Sequence, residues 1–164
     1  FDAEGNPIPK EEVNISADRD TKTTTTYNAG KKVETSIDKT SDGSNTIIKY
    51  DENGNPVTAT KTQGSNESRF EYVNGNPRVT SKIENKGHDN QRITTFQYDD
   101  EAGTVTSEAV ELGGTKKTTT VKKGDTLLSR TIVEGDKTSA LTKNNDDDSY
   151  TESIKDGDKS TTTN

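Results

Sequence analysis

The glycines divide this chain at nearly even intervals. Taking one per turn, they stand at positions 43, 54, 64, 75, 87, 103, 113, 124, 135 and 157, most of them 10 to 12 residues from the next. The longest interval, from 135 to 157, is twice 11, and its midpoint falls on Asn144-Asn145-Asp146-Asp147-Asp148, a polar stretch that can turn without glycine. A turn about every 11 residues leaves roughly 7 between turns, which is strand length and too short for a helix. Repetition at a fixed short period also implies that each unit packs mainly on its sequence neighbours.

Between turns the apolar residues alternate. Val33, Thr35 and Ile37 have the same parity, as do Val57 and Ala59, Phe70 and Tyr72, Val79 and Ile83, Phe96 and Tyr98, and Val105 and Ala109. Residues two apart in a strand point to the same side, so one face is mildly apolar. The other carries Glu34, Ser36, Thr58, Thr60, Arg69, Glu71, Thr80, Lys82, Thr106 and Glu108. The helical periodicity, apolar residues recurring in turn three and four apart, is absent, which predicts essentially no helix. Only 23% of the residues are hydrophobic, about half the usual share and too few for a two-sheet core. The 22 basic and 29 acidic residues nearly cancel, so self-repulsion is weaker than in a charged disordered tail. Runs such as Thr23-Thr24-Thr25-Thr26 and Thr118-Thr119-Thr120 suit a half-solvated pleated surface. The fold class expected is all-β: an elongated antiparallel β-meander of short hairpin repeats, largely single-layer, held by backbone ladders and cross-strand pairs.

Every second turn repeats a signature. It reads Phe1-Asp2-Ala3-Glu4-Gly5-Asn6-Pro7, Tyr27-Asn28-Ala29-Gly30-Lys31, Tyr50-Asp51-Glu52-Asn53-Gly54-Asn55-Pro56, Tyr72-Val73-Asn74-Gly75-Asn76-Pro77 and Tyr98-Asp99-Asp100-Glu101-Ala102-Gly103-Thr104. The aromatics are 26, 23, 22 and 26 positions apart, which makes the repeating unit a hairpin. Gly5, Gly30, Gly54, Gly75 and Gly103 are the expected structural turn residues. Asn53-Gly54 and Asn74-Gly75 read as two-residue hairpin turns with positive φ at both positions. Asp51 and Asp99 are placed to hold a turn through backbone donors, and Pro56 or Pro77 suits the start of a strand.

These motifs resemble the tyrosine-aspartate (YD) repeats of bacterial Rhs and related wall-associated proteins. Residues 50–56 carry the resemblance best, 1–7 and 98–103 moderately, and Tyr27 and Tyr72 keep the aromatic and the glycine. It covers about residues 1–105, the first part of the chain. Residues 106–164 continue the meander with Lys/Thr/Glu-rich strands, where Lys123-Gly124-Asp125, Glu134-Gly135-Asp136 and Asp156-Gly157-Asp158 lack the aromatic. That half is similar in style to the single-layer sheet of spirochaete outer surface lipoproteins. The resemblance implies a spiralling β strip at a bacterial surface or in a secreted protein, used as shell, stalk or adhesive surface.

No catalytic constellation is legible. Cysteine is absent, so disulfides, thiolate nucleophiles and Cys-ligated metals are excluded. The one histidine, His88, lies in the polar loop Asn85-Lys86-Gly87-His88-Asp89-Asn90 and reads as solvated. Asp146, Asp147 and Asp148, with Glu152 nearby, offer oxygen ligands for a hard cation such as Ca²⁺, but without the ligand spacing of an EF-hand they read first as a turn. Lys31-Lys32, Lys116-Lys117 and Lys122-Lys123 alternate with acids instead of forming the basic stripe a nucleic acid requires. No apolar run is long enough to insert in a membrane. Neither metal nor cofactor is expected.

Tyr27, Tyr50, Phe70, Tyr72, Phe96 and Tyr98 form a candidate ligand face able to stack on sugars, and equally the best cross-strand stabilisers of a coreless sheet. Three functions are expected from these features. The first is a non-catalytic structural or adhesive module at the cell surface or outside the cell. The second is a glycan or host-protein binding module, and the third a fibre subunit that meets itself or flanking repeats through open strand edges. A first residue of Phe1 is expected of a processed or excised piece.

Overall fold

The structure, a computed structural model, describes residues 10–144 and 148–163. Gly5, Asp146 and Asp147 lie outside the described residues. The chain is all-β. Among the described residues there is no helix, and fourteen antiparallel strands stand in the sheet in their chain order. The first seven are β1 (Glu11–Ile15), β2 (Thr21–Asn28), β3 (Lys31–Lys39), β4 (Ser44–Tyr50), β5 (Pro56–Gln63), β6 (Asn66–Val73) and β7 (Asn76–Glu84). The rest are β8 (Arg92–Asp99), β9 (Thr104–Glu111), β10 (Lys116–Lys123), β11 (Thr126–Glu134), β12 (Lys137–Lys143), β13 (Tyr150–Asp156) and β14 (Lys159–Thr163). Two compact units divide the chain, one up to Lys82 and the other from Ile83.

Each unit is one layer thick, and burial is correspondingly slight. The buried apolar residues among those described are Ala59, 5% exposed, and Ala109, 7% exposed. Their burial follows from size. Ala59 stands in register between Ile48 and Phe70, and the larger neighbours close over it. The row containing it runs Thr25, Thr35, Ile48, Ala59 and Phe70 across β2 to β6. Thr25 and Thr35 are buried in this row too, their hydroxyls 3.2 Å apart. The expected alternation therefore holds through the middle of the strands.

It breaks near their ends. Register shifts skip Val33 opposite Thr26 and Tyr27, Val57 opposite Lys49 and Tyr50, and Leu128 opposite Val121 and Lys122. Such bulges sharpen the local twist, and they leave Val33 and Val57 exposed. The bulges opposite β2 and β4 fall immediately before a tyrosine, Tyr27 one residue from the end of its strand and Tyr50 at the end of its own.

Two turns that look alike in sequence differ in the structure. Asn74 and Gly75 have φ of 53° and 77°, the doubly positive pair of a tight hairpin turn. At Asn53-Gly54 only Gly54 is positive, at 82°, which corrects the expectation of a two-residue turn there. Asp51 is the reason: its Oδ1 accepts from the backbone N–H groups of Asn53 at 2.9 Å and Asn55 at 2.8 Å, wrapping a five-residue loop around one carboxylate. Pro56 then opens β5 at the position where a missing N–H costs no ladder bond. Asp99 acts in the same way on the Ala102 N–H at 2.9 Å.

Hydrogen bonds hold several turn carboxylates below the usual range. Asp51 is lowered chiefly by the Asn55 N–H, Asp18 by the Ser16 hydroxyl and Asp42 by Ser44. A depressed folded-state value means that each contribution is complete above the unfolded aspartate value, about 3.9, and is lost as pH falls through the lower folded one. Amide exchange at Asn53 and Asn55 is therefore expected to accelerate as pH falls below about 4, beyond its intrinsic pH dependence. Asp51→Ala is expected to show the faster exchange already at neutral pH. Equal exchange in mutant and wild type would remove Asp51 from this role.

Candidate functional site

The first unit gathers its aromatics on one face. Tyr27, Tyr50, Phe70 and Tyr72 share the side of Thr25, Thr35 and Ala59, by register and by alternation along β2, β4 and β6. The three tyrosines stand on every second strand, about 10 Å apart at the usual strand spacing. In the second unit Phe96 and Tyr98 share one face of β8. All six are half-buried.

Two of the phenols are pinned sideways. Tyr27 donates to Glu12 Oε2 at 2.9 Å and Tyr50 to Thr35 Oγ1 at 3.2 Å, each lying over the strand before its own. The hydrogen bond from Tyr27, together with the larger one from the Asn14 amide, lowers Glu12, while Glu12 in turn raises the phenol of Tyr27. Tyr150 in the second unit does the same over a longer reach and donates to the Leu127 carbonyl at 3.0 Å. It was missed as a candidate because no glycine turn follows it in the manner of Tyr50. A ring laid along the sheet covers the small residues beneath it and turns its other face outward.

The remaining candidates are placed as follows. Gly30, Gly54, Gly75 and Gly103 all sit in turns with positive φ. His88 is exposed in the loop between β7 and β8. Asp148 is engaged by Lys143 Nζ at 2.5 Å, a contact that raises the lysine.

One arrangement in the second unit was not foreseen. Along one row of the face that carries Phe96, register opposes Arg92 to Glu111, Lys116 to Glu134, Glu134 to Lys137, Lys137 to Asp156 and Asp156 to Lys159. The Lys117–Val110 register makes Glu111 and Lys116 the next pair in line, and Arg92 Nη1 lies 3.8 Å from Glu84. The charges thus alternate strictly in sign from β7 to β14. The local motifs Glu134-Gly135-Asp136-Lys137 and Asp156-Gly157-Asp158-Lys159 contain two of its rungs, and that acid-turn-base pattern was the available signal.

No protein-family model matches the sequence, and no curated protein matches it.

Proposed function

We propose that this chain is a non-catalytic structural and adhesive β-repeat module of a bacterial cell-surface or secreted protein, built in the manner of YD repeats. The observation that carries this reading is the one-layer construction: strands meet their chain neighbours, and the side chains are spent on cross-strand contacts instead of an enclosed core. Such a surface offers reach and display, and its Thr, Lys and Glu side chains protect the open sheet from unwanted association.

The test uses the parent protein in its own cells, with an epitope tag beside this region. Protease added to intact cells, or assay of the medium, should reach the tag. A tag found wholly in a protease-protected intracellular pool would overturn the reading.

A second reading, glycan binding, is favoured by the sideways tyrosines, whose orientation is fixed before any ligand arrives. Preorganised rings bind at lower entropic cost than free ones.

A further inference from the structure

A depression of about 330 Å³ opens on the Phe96 face of the second unit, lined by Arg92, Glu111, Lys116, Thr118, Thr120 and Arg130, with Ile132 at its side. Register explains its shape. One row sets Thr94, Ala109 and Thr118 in line before Ile132, and the next sets Phe96, Ser107, Thr120 and Arg130 side by side. The middle of the lining is therefore hydroxyl, Thr118 and Thr120 of β10, with Glu111 and Lys116 at one end. Arg130 belongs to the lining, and Phe96 stands in the same row just outside it, three strand spacings or about 14 Å from Arg130.

Charge distinguishes this place from the rest of the molecule. The chain carries a formal net charge of −7, yet Lys116, Lys122 and Arg130 share this face. Among the described residues none of the three makes an ion pair, whereas Lys117 on the opposite face is held by Glu108 at 2.6 Å. The guanidinium of exposed Arg130 is free to take a carboxylate in a two-pronged hydrogen bond. Glu111 and Glu134 on the ladder row beside it accept hydrogen bonds from sugar hydroxyls and repel a densely charged polymer.

From this geometry we infer that the trough binds a uronic-acid-containing glycan, one carboxylate per ring, with Phe96 against a sugar face, the hydroxyls of Ser107, Thr118 and Thr120 beneath it, and Arg130 with Lys116 on the carboxylate. The inference rests on the glycan-binding reading and gives it a location and a ligand class.

The experiment is titration of the full chain with a four-residue oligogalacturonate, followed by amide chemical shifts, with the uncharged galactose oligomer as the paired probe. Shifts should concentrate in β8 to β11 and occur with the acidic oligomer alone. Arg130→Gln should weaken binding about fivefold or more, as expected for loss of a charged hydrogen bond. Phe96→Leu should weaken it as well, while Lys22→Gln, at an exposed position on β2 of the other unit, should leave it unchanged. Spectra of the free variants report whether each is folded.

Absence of shifts at millimolar oligomer overturns the inference, as does equal binding of the neutral oligomer. Tighter binding of sulfated dextran that is indifferent to Arg130→Gln also overturns it. Shifts confined to Tyr27, Tyr50 and Tyr72 would overturn the inference and leave the glycan reading standing.

Discussion

Gly75→Val will destabilise the first unit by about 1–3 kcal/mol, the usual cost of a residue held in a disfavoured backbone region. The physical cause is unusually clean here. A Cβ built on Gly75 meets nothing within 4 Å, so the penalty comes from φ of 77° alone, which a β-branched side chain resists. Gly54→Val has the same open surroundings and a φ of 82°. Its loop is longer and tied by Asp51, so part of the strain can spread, and its cost is expected at the lower end of that range. Asn tolerates the left-handed region, and Gly75→Asn should therefore recover most of the loss. Hydrogen exchange in β6 and β7 reads the outcome. Unchanged protection in Gly75→Val, or an equal loss in Gly75→Asn, would mean that backbone conformation is not what the glycine supplies.

Reversing one rung of the charge ladder should have the next largest effect. Glu134 stands between Lys116 and Lys137, so Glu134→Lys replaces two attractive oppositions by two repulsive ones. Cross-strand charge pairs contribute roughly 0.2–1 kcal/mol each, and the reversal should cost about 1–2 kcal/mol at low salt by the same figure. Screening identifies the origin. At about 1 M salt the Debye length falls to about 3 Å, and the difference from wild type should shrink by more than half, with Glu134→Gln between the two. A loss independent of salt would mean that packing and not charge had been disturbed. The open ends of the hairpins are where this matters most: Lys116 and Glu134 meet at the end of the β10–β11 pair far from its turn, beyond a bulge that has already shifted the register.

Much of the fold was legible because its determinants are local. Glycine spacing and period-2 alternation need only a window of a dozen residues, and they give the strands, the turns and the placing of Tyr27, Tyr50, Tyr72 and Tyr98 at strand ends. The role of Asp51 in its turn is legible as well, but not that its two accepted hydrogen bonds override the preference of the Asn53-Gly54 dipeptide and keep Asn53 out of the positive-φ region. Bulges at Val33, Val57 and Leu128 leave no clear mark in the alternation, and each changes which residues oppose one another beyond it. The ladder and the trough depend on register: only once it is known do Arg92 and Glu111 oppose each other, or Phe96 and Arg130 fall in one row. Tyr150 was missed for a related reason, since its hydrogen-bond partner lies two strands away.

The strand order carries a mechanical consequence. In either unit successive strands are joined side by side, so a load drawn across the strands acts along the hydrogen bonds that join them. Such bonds open one after another from the pulled edge, and the sheet peels where a sheared pair would rupture all at once. Each eight-residue strand released would lengthen the chain by roughly 26–29 Å. Under tension the protein should yield in a series of small, low-force steps and wind back strand by strand when the load is removed.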